Sequence, residues 1–131
     1  MSDGEGRFLG RRILVVDDDL EVLESTSLVL RSEGADVVEA ADGNTAVSYF
    51  TAQEPDAVVL DMMLPGRSGF LVLEKIRETS QDVPVVMVTA NQGHRHLDFA
   101  QGLGVSAYLV KPVPLTRLMD VLTELIAARG D

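Results

Sequence analysis

Five short apolar runs, each rich in β-branched residues and each followed by a helical pattern, constrain this chain more than any other feature. They are Ile13-Leu14-Val15-Val16, Ala35 to Glu39 with Val37-Val38 at its centre, Ala57-Val58-Val59-Leu60, Pro84-Val85-Val86-Met87-Val88, and Ala107-Tyr108-Leu109-Val110. Nearly unbroken apolar runs of four or five residues are what strands need when both faces are covered. Strands alternating with helices point to βαβ units around a parallel sheet. The order is therefore (βα)5, an α/β fold.

The helices between the runs can be read from their caps and stripes. From Leu20 to Glu33, the residues Val22, Ser25, Thr26, Val29 and Leu30 share one face, and Gly34 stops the helix. Asp42-Gly43 turns into a second helix ending before Pro55, and Ser68 caps a third carrying Val72, Leu73 and Ile76. A fourth, Asn91 to Leu103, is poor in propensity because it contains Gly93 and Gly102. The fifth, Leu115 to Ala128, has the cleanest stripe: Leu115, Leu118, Met119, Leu122, Leu125 and Ile126. At 131 residues this is one domain at 12–129, preceded by a flexible lead-in over residues 1–11.

Composition excludes several function classes. There is no cysteine, hence no disulfide, thiolate nucleophile or Cys-type zinc site. No apolar run approaches the roughly 20 residues of a membrane span, and Met1 to Gly10 lacks the pattern of a secretory signal. No membrane association and a cytoplasmic location are the expectation. A net charge of −10 weighs against direct nucleic-acid binding, which relies on Lys and Arg at phosphates. Most of the 21 acidic residues serve solubility. The only lysines are Lys75 and Lys111.

In a parallel α/β sheet, ligands bind beyond the carboxyl ends of the strands. Strand one ends in Asp17-Asp18-Asp19, strand three in Asp61 and strand four in Thr89, while Lys111-Pro112 follows strand five. Any one of these is more often a helix cap or a solvated side chain, and Asp19 reads as a first-turn acid favoured by the helix dipole. All of them at one sheet edge is a different matter. Asp17, Asp18 and Asp61 cannot converge as bare anions without a raised pKa or a cation. Mg2+ suits an all-oxygen cluster with positions left for water and phosphate oxygens. A carboxylate attacking phosphorus would give an aspartyl phosphate, in a transfer governed by positioning and charge neutralisation.

Val15-Val16-Asp17-Asp18-Asp19, Val58 through Asp61 to Met62-Met63-Leu64-Pro65-Gly66, Val88-Thr89-Ala90, and Tyr108-Leu109-Val110-Lys111-Pro112 resemble, in content and order, the receiver domains of two-component response regulators. The resemblance runs from about Arg12 to Ala128. It implies a flavodoxin-like, doubly wound (βα)5 sheet of strand order 2-1-3-4-5. It also implies a signalling domain rather than an enzyme, with only self-directed phosphoryl transfer and autodephosphorylation. Asp61 would be the phosphoacceptor. Asp18, Asp61 and the Met63 backbone carbonyl would bind Mg2+, with Asp17 acting through water. Thr89 would meet the phosphoryl oxygens, Ala90 would leave room for them, Lys111 would pair with the phosphate, and the Lys111–Pro112 bond would be cis. Tyr108 matches an aromatic that moves with the switch. The donor would be a histidine kinase or histidine phosphotransfer domain. Output would pass to a downstream protein or effector domain through the face of the fourth helix, fifth strand and fifth helix, and a phosphorylation-linked dimer is compatible with this.

This chain departs from the family pattern in places. Ser68 stands where many receivers have Asp, which affects the helix cap. Met63 and Asn91 hold the two variable positions flanking the phosphate, and an apolar Met63 orients no water. His94 and His96, two apart on the fourth helix, fall on different faces and read as solvated. Three rival readings are weaker. A haloacid-dehalogenase-type phosphatase needs a second Asp where Met63 stands. A flavin site would be repelled by Asp17-Asp18-Asp19. A degenerate, interaction-only receiver is disfavoured because the key positions are intact.

Overall fold

The computed structural model describes residues 6–90 and 93–129. Their elements run β1 Arg12–Val16, α1 Leu20–Ser32, β2 Asp36–Ala40, α2 Gly43–Gln53, β3 Ala57–Asp61, α3 Gly69–Thr79, β4 Val85–Thr89, α4 His94–Gly102, β5 Ala107–Val110 and α5 Leu115–Arg129. All neighbouring strands pair in parallel, in the order β2-β1-β3-β4-β5. This is the flavodoxin-like order. It places β1 and β3 side by side at the centre, with Val16 opposite Leu60, so the residues that follow those strands emerge next to each other.

Alternation along the strands divides the interior into two cores. Ile13, Val15, Val59, Val86 and Val88 pack with Leu23 and Leu30 of α1 and Leu118 and Leu122 of α5. Leu14, Val16, Val58, Leu60, Val85 and Met87 pack on the opposite face with Phe50 of α2, Val72, Leu73 and Ile76 of α3, and Ala100 of α4. The middle strands are apolar along their length because each side chain enters one core or the other. No helix among the described residues is long and apolar enough to cross a membrane.

Caps follow local chemistry. Asp19 accepts from the backbone N–H of Glu21 and Val22, Asp42 from Thr45, and Ser68 from Leu71, each satisfying donors that a helix start leaves open. Gly34, at φ 94°, turns the chain from α1 into β2.

Four expectations are corrected. The expected lead-in is packed at Phe8, which is 1% exposed within the first core and whose N–H donates to the Glu33 carbonyl at 2.9 Å. The buried face of α1 is Leu23, Thr26, Ser27 and Leu30, with Val22 and Val29 only half-buried and Ser25 exposed; the sheet and α5 together cover a face rotated from the apolar stripe. The fourth helix begins at His94, with Gly93 as its N-cap and no side-chain cap bond. His96 is not solvated. It lies half-buried and parallel to Phe70, ring centroids 6.0 Å apart, and its Nδ1 finds no hydrogen-bond partner among the described residues.

Candidate functional site

The carboxyl edge of the sheet brings together four of the residues singled out from sequence. Asp17 and Asp61, each 5% exposed, and the exposed Asp18 each offer a ligating oxygen, all within 4.8 Å of one another. Lys111 sends its ammonium into the cluster, 3.1 Å from Asp17 Oδ2 and 3.7 Å from Asp61 Oδ2. Backbone donors fix the carboxylates further: the N–H of Asp19 donates to Asp17 Oδ1 at 2.9 Å, and that of Met63 to Asp61 Oδ1 at 3.3 Å. The Lys111 N–H donates to the Thr89 carbonyl at 2.7 Å, and the Lys111–Pro112 bond is cis.

Close backbone packing supports this edge. A Cβ on Gly69 would stand 2.4 Å from the Asp61 carbonyl oxygen and 2.7 Å from Met62 Cα, so glycine alone lets α3 begin directly against the end of β3. Beside the site, a cavity of about 500 Å3 opens between α1 and α5, with Asp17, Asp61 and Lys111 among its lining residues. Asp61 is thus withdrawn from bulk water yet borders open space.

Electrostatics follow from this crowding. Burial, then the charge of Asp17, push the Asp61 carboxyl up to about 6; Lys111 opposes them, and Asp18 adds a smaller push. For Lys111, burial pulls downward, but its hydrogen bond to Asp17 and the charges of Asp61, Asp17 and Asp19 outweigh it, so its pKa rises. One ammonium faces three carboxylates, which leaves a negative, all-oxygen cluster. A small divalent cation fits that donor set.

Two other candidates sit apart from the cluster. Thr89 is 0% exposed, and its hydroxyl lies 3.8 Å from the Met62 thioether on the α2–α3–α4 side of the sheet. Tyr108, half-buried, packs against that same core, and burial raises its pKa. Met63 is exposed, as is His94; Asn91 lies outside the described residues. Sequence reading passed over Met62 and Phe8. Alternation from Leu60 could have flagged Met62 as inward-facing, whereas nothing in the segment around Phe8 announces a buried anchor.

A doubly wound sheet carrying an acidic cluster and a lysine at its carboxyl edge fits a phosphoacceptor-type signalling domain. The sequence model of the response regulator receiver domain matches residues 13–123. The chain belongs to that family. It is similar to a CheY-like response regulator receiver domain protein from Methanospirillum hungatei JF-1, at 29% identity over 91% of this chain and 95% of that one, TM-score 0.88. A receiver domain protein from Clostridium thermocellum matches at 26% identity, 91% and 96% coverage and TM-score 0.84. The chemotaxis protein CheY4 of Vibrio cholerae matches at 26% identity, 88% and 98% coverage and TM-score 0.83. The chain is a receiver domain of a two-component system, and its acidic pocket fits a phosphoacceptor role.

Proposed function

We propose that this receiver takes a phosphoryl group onto the Asp61 carboxylate from the phosphohistidine of a histidine kinase or phosphotransfer domain. The observation that carries the reading is the convergence of Asp17, Asp18 and Asp61 within 4.8 Å, with the Lys111 ammonium 3.7 Å from Asp61. An Asp61 oxygen forms the new bond to phosphorus while the bond from phosphorus to the donor's imidazole nitrogen breaks, and the imidazole leaves with the electron pair. At neutral pH a group titrating near 6 is mostly ionised, so Asp61 is available as a nucleophile. Lys111, already in the pocket, supplies positive charge to the incoming phosphoryl oxygens.

Asp18, Asp61 and the Met63 carbonyl, with Asp17 through water, would hold Mg2+, following the family resemblance. Bound there, the ion would neutralise charge on the carboxylates and the transferring group. Phosphorylation adds a charge of about −1.5 to −2 at neutral pH. In this reading Thr89 turns to the phosphoryl oxygens, Tyr108 follows, and the face of α4, β5 and α5 changes its affinity for a downstream protein, an effector domain or a second copy. Exposed Phe99 and Val110 lie on those elements. A cytoplasmic location accords with such a donor.

The test is intact-mass measurement after incubation with acetyl phosphate and Mg2+. Wild type gains one phosphoryl group, and Asp61→Asn gains none. A stable phosphate on Asp61→Asn would end the assignment.

A further inference from the structure

Alternation places Asp61 and Thr89 on opposite sides of the sheet. Val59 and Val88 enter the α1–α5 core, and Asp61 lines the cavity on that side. Leu60, Met62 and Met87 enter the other core, and Thr89 follows them. A hydroxyl that is to serve a phosphoryl group on Asp61 therefore begins the cycle turned away from it, and something must hold it there. Met62 is placed to do so. Its N–H donates to the Val88 carbonyl at 3.3 Å, which pins its backbone beside the end of β4. Its side chain is 2% exposed and packs in the core that contains Val72 and Leu73 of α3, and its Sδ lies 3.8 Å from Thr89 Oγ1.

We propose that Met62 is a positioning residue that holds the Thr89 hydroxyl in the unphosphorylated conformation, its thioether acting as a deliberately weak acceptor. This rests on the reading above, in which Thr89 meets the phosphoryl group. A thioether accepts hydrogen bonds poorly, so the Met62 contact itself is a small loss when Thr89 turns to a phosphoryl oxygen, a far stronger acceptor. A carbonyl or amide at this position would hold the hydroxyl harder and raise the threshold of the switch. Because Met62 directly follows Asp61, the acceptor of the phosphate and the anchor of the switch are consecutive in the chain.

The experiment is a double-mutant cycle on beryllofluoride affinity in the presence of Mg2+, using wild type, Met62→Leu, Thr89→Val and the double variant. Met62→Leu keeps an apolar side chain of similar size and removes the thioether. It should bind beryllofluoride roughly two- to fivefold more tightly, the loss of one modest hydrogen bond from the unliganded state. In the Thr89→Val background, where no hydroxyl remains, the same substitution should change nothing. Met62→Gln, which offers an amide oxygen, should weaken binding. Denaturation curves show which variants are folded, and Met62→Ile stands in if Met62→Leu is not. An unchanged affinity in Met62→Leu, or the same factor with Val at position 89, would assign Met62 to packing alone and overturn the proposal. Failure of wild type to bind beryllofluoride at all is a distinct result: it removes the phosphoacceptor reading, and this inference with it.

Discussion

The Lys111 ammonium lies 3.1 Å from the Asp17 carboxylate, joining residues 94 positions apart at one edge of the sheet. Both are drawn out of water, with side-chain exposures of 26% and 7%. A surface ion pair of this length contributes little, but a half-buried one leaves an uncompensated charge when it is broken.

Lys111→Met should therefore destabilise the metal-free protein by about 1–2 kcal/mol, because Asp17 and Asp61 then face each other without a cation. Mg2+ should recover much of that loss and bind more tightly than to wild type. Urea denaturation with and without Mg2+ measures both effects. A variant equally stable in the two conditions would contradict the charge balance drawn here.

Asp61 should make stability fall as pH rises. Its folded pKa, about 6, lies above the ordinary carboxyl value of 3.8, so the folded state holds this proton more firmly than the unfolded chain. The stabilisation is complete below the unfolded value and is lost as pH rises through the folded one. Asp61→Asn should lose that slope and, without divalent cations, be about 1–3 kcal/mol more stable than wild type at neutral pH. Denaturation at a series of pH values reads it directly; parallel profiles for the two proteins would refute the assignment.

Phe8 anchors the N-terminal segment. Removing its ring from the first core should cost about 3–5 kcal/mol, the range for emptying a buried aromatic site. Chemical denaturation of Phe8→Ala gives the value, and a loss under half a kilocalorie would restore the flexible lead-in.

In α4 only Ala100 is buried, Gly102 lies within the helix, and the Gly93 N-cap makes no side-chain bond. Elements with so few anchors open at low free energy. Hydrogen exchange over residues 94–102 should be faster than over α1, and beryllofluoride should change it more. Protection equal to that of α1 and indifferent to the ligand would remove α4 from the switch.

The local features of this fold were legible before any coordinates. The apolar runs read as strands because each is covered on both faces, so no polar residue interrupts Val58 to Leu60 or Val85 to Val88. Helix starts at Asp42 and Ser68 were visible because caps act over three residues. The ordered set of strand-end residues was enough to gather Asp17, Asp18, Asp61 and Lys111. The strand order itself came through the family resemblance, since periodicity states which faces are covered and not which strands are neighbours.

What periodicity could not carry was the meeting of particular side chains. Phe8 is a single aromatic in a mostly polar segment, and the core it joins is built from residues of the sheet, α1 and α5 far along the chain. The half-buried state of His96 depends on Phe70, on a different helix. Thr89 and Asp61 share an edge in the sequence pattern yet lie on opposite sides of the sheet, because their strands end in opposite phases of the pleat. A one-dimensional pattern records how often a side chain turns inward; which group it finds there depends on distances between residues far apart in the chain, and those exist only once the sheet has closed.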